Sequence, residues 1–303
     1  RFLPKMGFDE GLTADVRTVV IIPSLVADAE DVESLVQQLQ IHYLGNQDPH
    51  LHFALLADFA DAPRKHMPGD DAIAEQARAA IRRLNSKYGS DSGGPFYLLY
   101  RERRWNRSED SWMGWERKRG NLRDFNHLLR GKTHSNYVVK EGRLDLLREV
   151  KYVITLDADT SLPRGSARRL IGTLAHPLNQ AVFDPEGHKV ASGYTILQPR
   201  VEISPQSANR SLFAQLYAGE AGVDIYSRTL SDAYQDLFGE GIYVGKGIYD
   251  VDAFERSVEG LVPENTILSH DLFEGSLGRV GSVTDITLFE DYPPDYLSYA
   301  YRS

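Results

Sequence analysis

Short apolar runs alternate with helix-like segments along the first half of this chain, and several of the runs stop at a proline or a carboxylate. Arg17 to Pro23, His52 to Asp58, Phe96 to Tyr100 and Tyr152 to Asp157 are such runs. Their length and β-branched or aromatic content suit strands buried on both faces. Between them, Val32, Leu35, Val36 and Leu39 fall at helical spacing after an acidic first turn from Asp28. Asp70 to Tyr88, Leu122 to Leu129 and Arg164 to Leu174 also read as helices. Strand and helix in alternation predict an α/β fold with a mostly parallel, Rossmann-like central sheet, right-handed crossovers and flanking helices.

Further on, Gly193 to Arg200 reads as a strand and Ala208 to Tyr217 as one helix. Short helical turns are expected from Asp252 and from Asp271 to Leu277. Arg101 to Asn121, polar and basic, reads as a long loop, as does the glycine-punctuated Gly239 to Gly247. Ser90 to Pro95 is a surface turn. With no repeat, linker or low-complexity stretch, residues 1–303 read as a single domain. The ends lack an initiator methionine or a terminating feature, so the chain reads as a piece of a longer protein.

Composition removes several classes. There is no cysteine, so disulfides and thiolate metal sites are excluded. A net charge of −9 lacks the basic footprint of a nucleic-acid binder. No run approaches the ~18 apolar residues of a membrane span, and the N-terminus is not a secretory signal.

Ligands bind open parallel sheets beyond the C-terminal strand ends, where Pro23, Asp58 and Asp157 should converge. A single strand-end aspartate could be a helix cap. Asp157-Ala-Asp159 goes further: two carboxylates just past a strand can both turn toward a hard cation such as Mg²⁺ or Mn²⁺ with a substrate diphosphate. Glu116 to Asn121 carries Lys118 and Arg119, able to neutralise that diphosphate, and Gly120, permitting close approach. A solvated basic turn is the other reading. Trp105, Trp112 and Trp115 could stack on sugar or base, or pack the loop down. In His270-Asp-Leu-Phe-Glu274, Asp271 and Glu274 share a helical face. Asp271 could take a proton from an acceptor hydroxyl, or serve as an N-cap. His270 alone reads as structural. P-loop, nucleophile-elbow and His-Glu-x-x-His patterns are absent.

In this order, Pro23, Asp58, Lys118-Arg-Gly-Asn121, Asp157-Ala-Asp159 and His270-Asp271 resemble inverting family-2-like glycosyltransferases of the GT-A fold. More specifically, several segments are similar to the glucosyltransferase domain of cyclic β-1,2-glucan synthases. They are Leu3 to Met6, Trp112 to Gly120, Leu156 to Thr160, Gly241 to Asp250 and Leu268 to Gly275. That resemblance implies UDP-glucose as donor, a growing β-1,2-glucan as acceptor, Mg²⁺ or Mn²⁺ as cofactor, and inversion at the anomeric carbon. By position it implies Pro23, Asp58, Lys118, Arg119, Asn121 and Asp157 for the nucleotide sugar, with Asp58 at the uridine. It implies Asp157 and Asp159 for metal, and Asp271 as base. Gly245, Lys246, Gly247 and Glu274 would line the acceptor side. It further implies membrane and phosphorylase-like regions elsewhere in the same protein, with this domain on the cytoplasmic face of a bacterial inner membrane. Processive relatives carry an Arg-Trp pair after the catalytic aspartate; none follows Asp271. A nucleotide-sugar-binding regulatory domain without turnover is the alternative. A sugar nucleotidyltransferase ranks below it, because the loop after Pro23 is neither glycine-rich nor basic.

Overall fold

The strand Thr18–Val26 (β1) anchors the sheet from its middle, and every neighbour is positioned from it. The computed structural model describes residues 2–89, 93–132, 136–187, 189–218, 231–261 and 270–296. The start of the Ser90 turn, together with Leu268 and Ser269 of the motif before Asp271, lies outside the described residues.

The elements follow in chain order: β1, α1 (Ala29–Gly45), β2 (Leu51–Phe59), α2 (Asp70–Tyr88), β3 (Phe96–Arg101), β4 (Arg104–Asn106) and β5 (Ser111–Met113). Next come α3 (Arg117–Leu129), β6 (Tyr137–Glu141), α4 (Leu144–Leu147), β7 (Tyr152–Thr155), β8 (Thr160–Ser161), α5 (Ser166–Ala175), β9 (Val182–Phe183) and β10 (Val190–Ser192). The remainder is β11 (Ile196–Ile203), α6 (Pro205–Ala208), α7 (Leu212–Tyr217), α8 (Ser231–Phe238), β12 (Gly247–Asp250), α9 (Val251–Val258), α10 (His270–Gly278) and β13 (Val280–Glu290).

The main sheet runs β6-β3-β2-β1-β7-β12-β11-β13-β8. Its centre, β3-β2-β1-β7, is parallel, as the alternation implied. The flanks add antiparallel strands: β6 beside β3, and β12 between β7 and β11. All nine residues of β2 are buried. Alternate residues of β1 enter opposite cores, Val20 and Ile22 on one face, Val19 and Ile21 on the other. Burying each such side chain contributes roughly 1.5–3 kcal/mol.

Three expectations need correction. β1 does not stop at Pro23 but continues to Val26. The Leu156 N–H donates to the Ile21 carbonyl, so residue 21 faces β7 and residue 23 faces the same side, where β7 has already ended. The missing N–H of Pro23 therefore costs no ladder bond. The expected loop 101–121 holds the β4–β5 hairpin, closed by Trp105 opposite Trp112 with ring centroids 5.8 Å apart. It also holds the start of α3, so Lys118, Arg119 and Asn121 are helical. The expected helix 208–217 is interrupted at 209–211, between the end of α6 and the start of α7, and each of these short helices has its own serine N-cap, Ser204 and Ser211. The stretch from Gly239 is a loop as expected, and β12 begins at its end, Gly247.

Asn85 ties α2 to β3 like a piece of added strand. Its side-chain amide donates to the Phe96 carbonyl at 2.8 Å and accepts from the Phe96 N–H at 3.0 Å. Asn85→Ala leaves both backbone groups short of a partner, so a loss of about 1–3 kcal/mol is expected. Denaturant unfolding checks it as a lower midpoint at unchanged slope.

Candidate active site

Strand order brings the chemistry together. β12 runs antiparallel to β7 with Gly247 opposite Thr155, so the residues just before β12 lie beside those just after β7. Gly245 and Lys246 thereby meet Asp157. β13 ends with Glu290 paired to Thr160, which brings a further carboxylate to the same turn. One oxygen each from Asp157, Asp159 and Glu290 lies within 4.8 Å of the others. Three carboxylates at that spacing form a hard oxygen set of the kind Mg²⁺ or Mn²⁺ takes, so the residues fit the implied metal. Glu290 was not anticipated. Its signal was available, since the mostly apolar end of β13, Ile286 to Phe289, stops at this carboxylate.

Two lysines balance this acidity. Lys118 donates to Asp157 Oδ1 and, at 2.9 Å, to the Gly245 carbonyl. Lys246 lies 3.1 Å from Asp157 Oδ2 and also pairs with Glu290. Burial would raise the Asp157 carboxyl, but the two ammoniums outweigh it and hold the group below the ordinary carboxylate range.

Asp271 stands in the first turn of α10. Its carboxylate packs against Gly245, where an added Cβ would come 2.5 Å from Asp271 Oδ2 and where φ is +80°. Only glycine accommodates both constraints. Burial raises the Asp271 carboxyl, which the nearby Lys118 and Lys246 oppose and Asp157 reinforces. One turn on, burial and the charge of Asp271 push Glu274 up to about 7. Arg119 spans from Glu274 at 3.4 Å to Glu116 at 3.1 Å, and His270 Nε2 lies 3.5 Å from Glu116. This buried charge chain fastens α3 to α10.

Asp58 and Asn121 sit deeper than the crevice. Both Asp58 oxygens accept from Arg101 at 2.7 Å, and the residue is 4% exposed. Asn121 donates to the Leu56 carbonyl at 3.3 Å and accepts from the Tyr137 hydroxyl at 2.7 Å. Arg101, also unanticipated, donates further to Asp124 and to the carbonyls of Trp115 and Arg117. Those last bonds hold an uncommon bend, in which Glu116 (φ 52°) and Arg117 (φ 47°) are both left-handed without being glycine. The bend starts α3 and delivers Lys118 to Asp157. The structure thus gathers Lys118, Asp157, Asp159, Gly245, Lys246 and Asp271, with Gly247 opening β12 beside them and Pro23 half-buried on β1. It places Arg119 and Glu274 as a strut between helices.

No protein-family model matches the chain. It is 43% identical over 290 residues, 95% of its length, to the cyclic β-(1,2)-glucan synthase NdvB of Rhizobium meliloti (strain 1021). This chain is related to the cyclic β-(1,2)-glucan synthases. It spans 10% of the length of that relative. Among solved structures, S. aureus TarS 1-349 in complex with UDP-GlcNAc aligns with a TM-score of 0.46 and 9% identity, covering 94% of this chain and 61% of that one. A second TarS structure aligns at 0.42 and 10% identity, covering 94% and 38%.

Glu274 generates a pH signature. Its carboxyl, raised from 4.5 to about 7, binds a proton in the folded state across an interval where the unfolded chain does not. Stability therefore falls as pH rises through that window. Glu274→Gln is expected to flatten this fall, by about 1–3 kcal/mol between the two limits, as read by denaturant midpoints across pH.

Proposed function

We propose that this chain is an inverting glycosyltransferase of GT-A type, a single catalytic domain that transfers glucose from UDP-glucose to a growing β-1,2-glucan. The observation that carries the reading is the meeting of an acidic trio, two lysines and a half-buried, proton-hungry Asp271 beyond the C-terminal ends of the parallel strands. The 43% identity to a cyclic β-(1,2)-glucan synthase supports glucose as the sugar and β-1,2 as the linkage.

The residues divide the work by charge. Asp271 accepts the proton of the acceptor hydroxyl as its oxygen bonds to the anomeric carbon. On the opposite side, the bond from that carbon to the diphosphate oxygen breaks, and the UDP leaves with the electron pair. A single displacement of this kind inverts the anomeric centre. Lys118 and Lys246 lie where they can balance the departing diphosphate. A divalent cation held by Asp157, Asp159 and Glu290 would add charge stabilisation to the same group. Asp58 and Asn121 contribute by bracing the start of α3, and Arg119 with Glu274 by fixing α10 beside it on the acceptor side. We assign the membrane and phosphorylase-like regions that this reading requires, and the cytoplasmic face of an inner membrane, to the full-length protein. No helix among the described residues is long and apolar enough to cross a membrane.

Asp271→Asn in the full-length protein separates binding from chemistry. UDP-glucose affinity is expected within about threefold of wild type, while transfer falls by about 10²–10⁴. In the wild type, kcat/KM should rise with pH through a limb displaced above the ordinary aspartate value of 3.8, because the base works only when deprotonated. Transfer at the wild-type rate by the asparagine variant would remove Asp271 as the base.

A further inference from the structure

Lys246 stands in the metal site itself. Its ammonium touches Asp157 Oδ2 at 3.1 Å and pairs with Glu290, two of the three carboxylates that converge within 4.8 Å. Lys118 reaches only Asp157, on the other oxygen, and spends a second bond on the Gly245 carbonyl. The two lysines therefore differ. Lys118 fastens the site to α3, whereas Lys246 bridges two members of the trio and supplies the charge that a cation would bring.

An ammonium and a divalent cation cannot share the same carboxylate oxygens without strong like-charge repulsion. The Lys246 backbone cannot retreat, since the next residue, Gly247, is locked opposite Thr155 in the sheet. Only the side chain can pivot. We propose that Lys246 is the resident counter-ion of the Asp157–Asp159–Glu290 trio, displaced by the incoming divalent cation and re-partnered by the sugar diphosphate. This inference rests on the metal-dependent transferase reading above. Before loading, the ammonium holds mutually repelling carboxylates together. Afterwards it has lost that partner, and the diphosphate is the anion that replaces it. Metal and donor consequently bind with positive coupling, each strengthening the other.

The test is Mn²⁺ binding to the full-length protein, followed by electron paramagnetic resonance with and without UDP. Without UDP, Lys246→Gln should bind Mn²⁺ about tenfold more tightly than wild type, because the competing charge is gone. Lys246→Arg, which keeps the charge, should stay near wild type. The strengthening of Mn²⁺ binding by UDP should shrink in Lys246→Gln and persist in Lys246→Arg. Circular dichroism confirms folding, and Lys246→Met removes the same charge if the glutamine variant does not fold. Asp159→Asn is the control and should weaken Mn²⁺ binding. If it does so while Lys246→Gln leaves Mn²⁺ affinity unchanged or weaker, the counter-ion role is overturned and the metal site stands. If Asp159→Asn binds Mn²⁺ like wild type, the carboxylate trio is not the metal site and both readings fall.

Discussion

Gly247 sits opposite Thr155, and that single register decides where the acidic and basic groups of the site can meet. β12 is antiparallel to β7, so its approach loop must pass the turn that carries Asp157 and Asp159. A parallel strand in that place would carry Gly245 and Lys246 to the other end of the sheet. The same inserted strand leaves Gly245 where Asp271 of α10 packs against it. The register thus joins carboxylates after one strand, a lysine before another and the first turn of a helix within one crevice.

Beneath the crevice, Arg101 sets how α3 begins. Its guanidinium is 1% exposed and contacts Asp58, Asp124 and the carbonyls of Trp115 and Arg117. A buried ion pair is not by itself a large source of stability, but removing one partner strands the other at a cost of roughly 3–5 kcal/mol. What the arrangement secures is geometry. Two left-handed non-glycine residues at the head of a helix persist only where the surroundings over-determine them. Here those surroundings are the hydrogen bonds from Arg101, and the result is Lys118 aimed at Asp157. The parallel strut of Glu116, Arg119 and Glu274 fixes α10 to the same helix.

Much of this was legible where local physics decides structure. The runs at β1, β2, β3 and β7 are apolar because both their faces are buried, and α2 matches its periodic stretch from Asp70 to Tyr88. Asp157 and Asp159 were legible because strand-end carboxylates follow from sheet topology, and Lys118 because its basic run lies between β3 and β7. What escaped depends on distant contacts. α3 begins at Arg117 without a side-chain cap, so no cap residue marks its start. The hairpin of β4 and β5 is held by paired tryptophans and by backbone bonds from Trp112 to Ala62, which composition alone does not reveal. Asp58 reads as a crevice residue until Arg101 is seen opposite it in the sheet register. Glu290 was missed although β13 obeys the rule already applied to β2 and β7.

These groups are proposed to hold a nucleotide sugar and transfer its glucose. Incubation of the full-length protein with labelled UDP-glucose and Mn²⁺, followed by linkage analysis of the product, measures that transfer directly. Metal-dependent incorporation of label into β-1,2-linked glucan is expected. UDP-glucose bound without incorporation, or a product with another linkage, would contradict it.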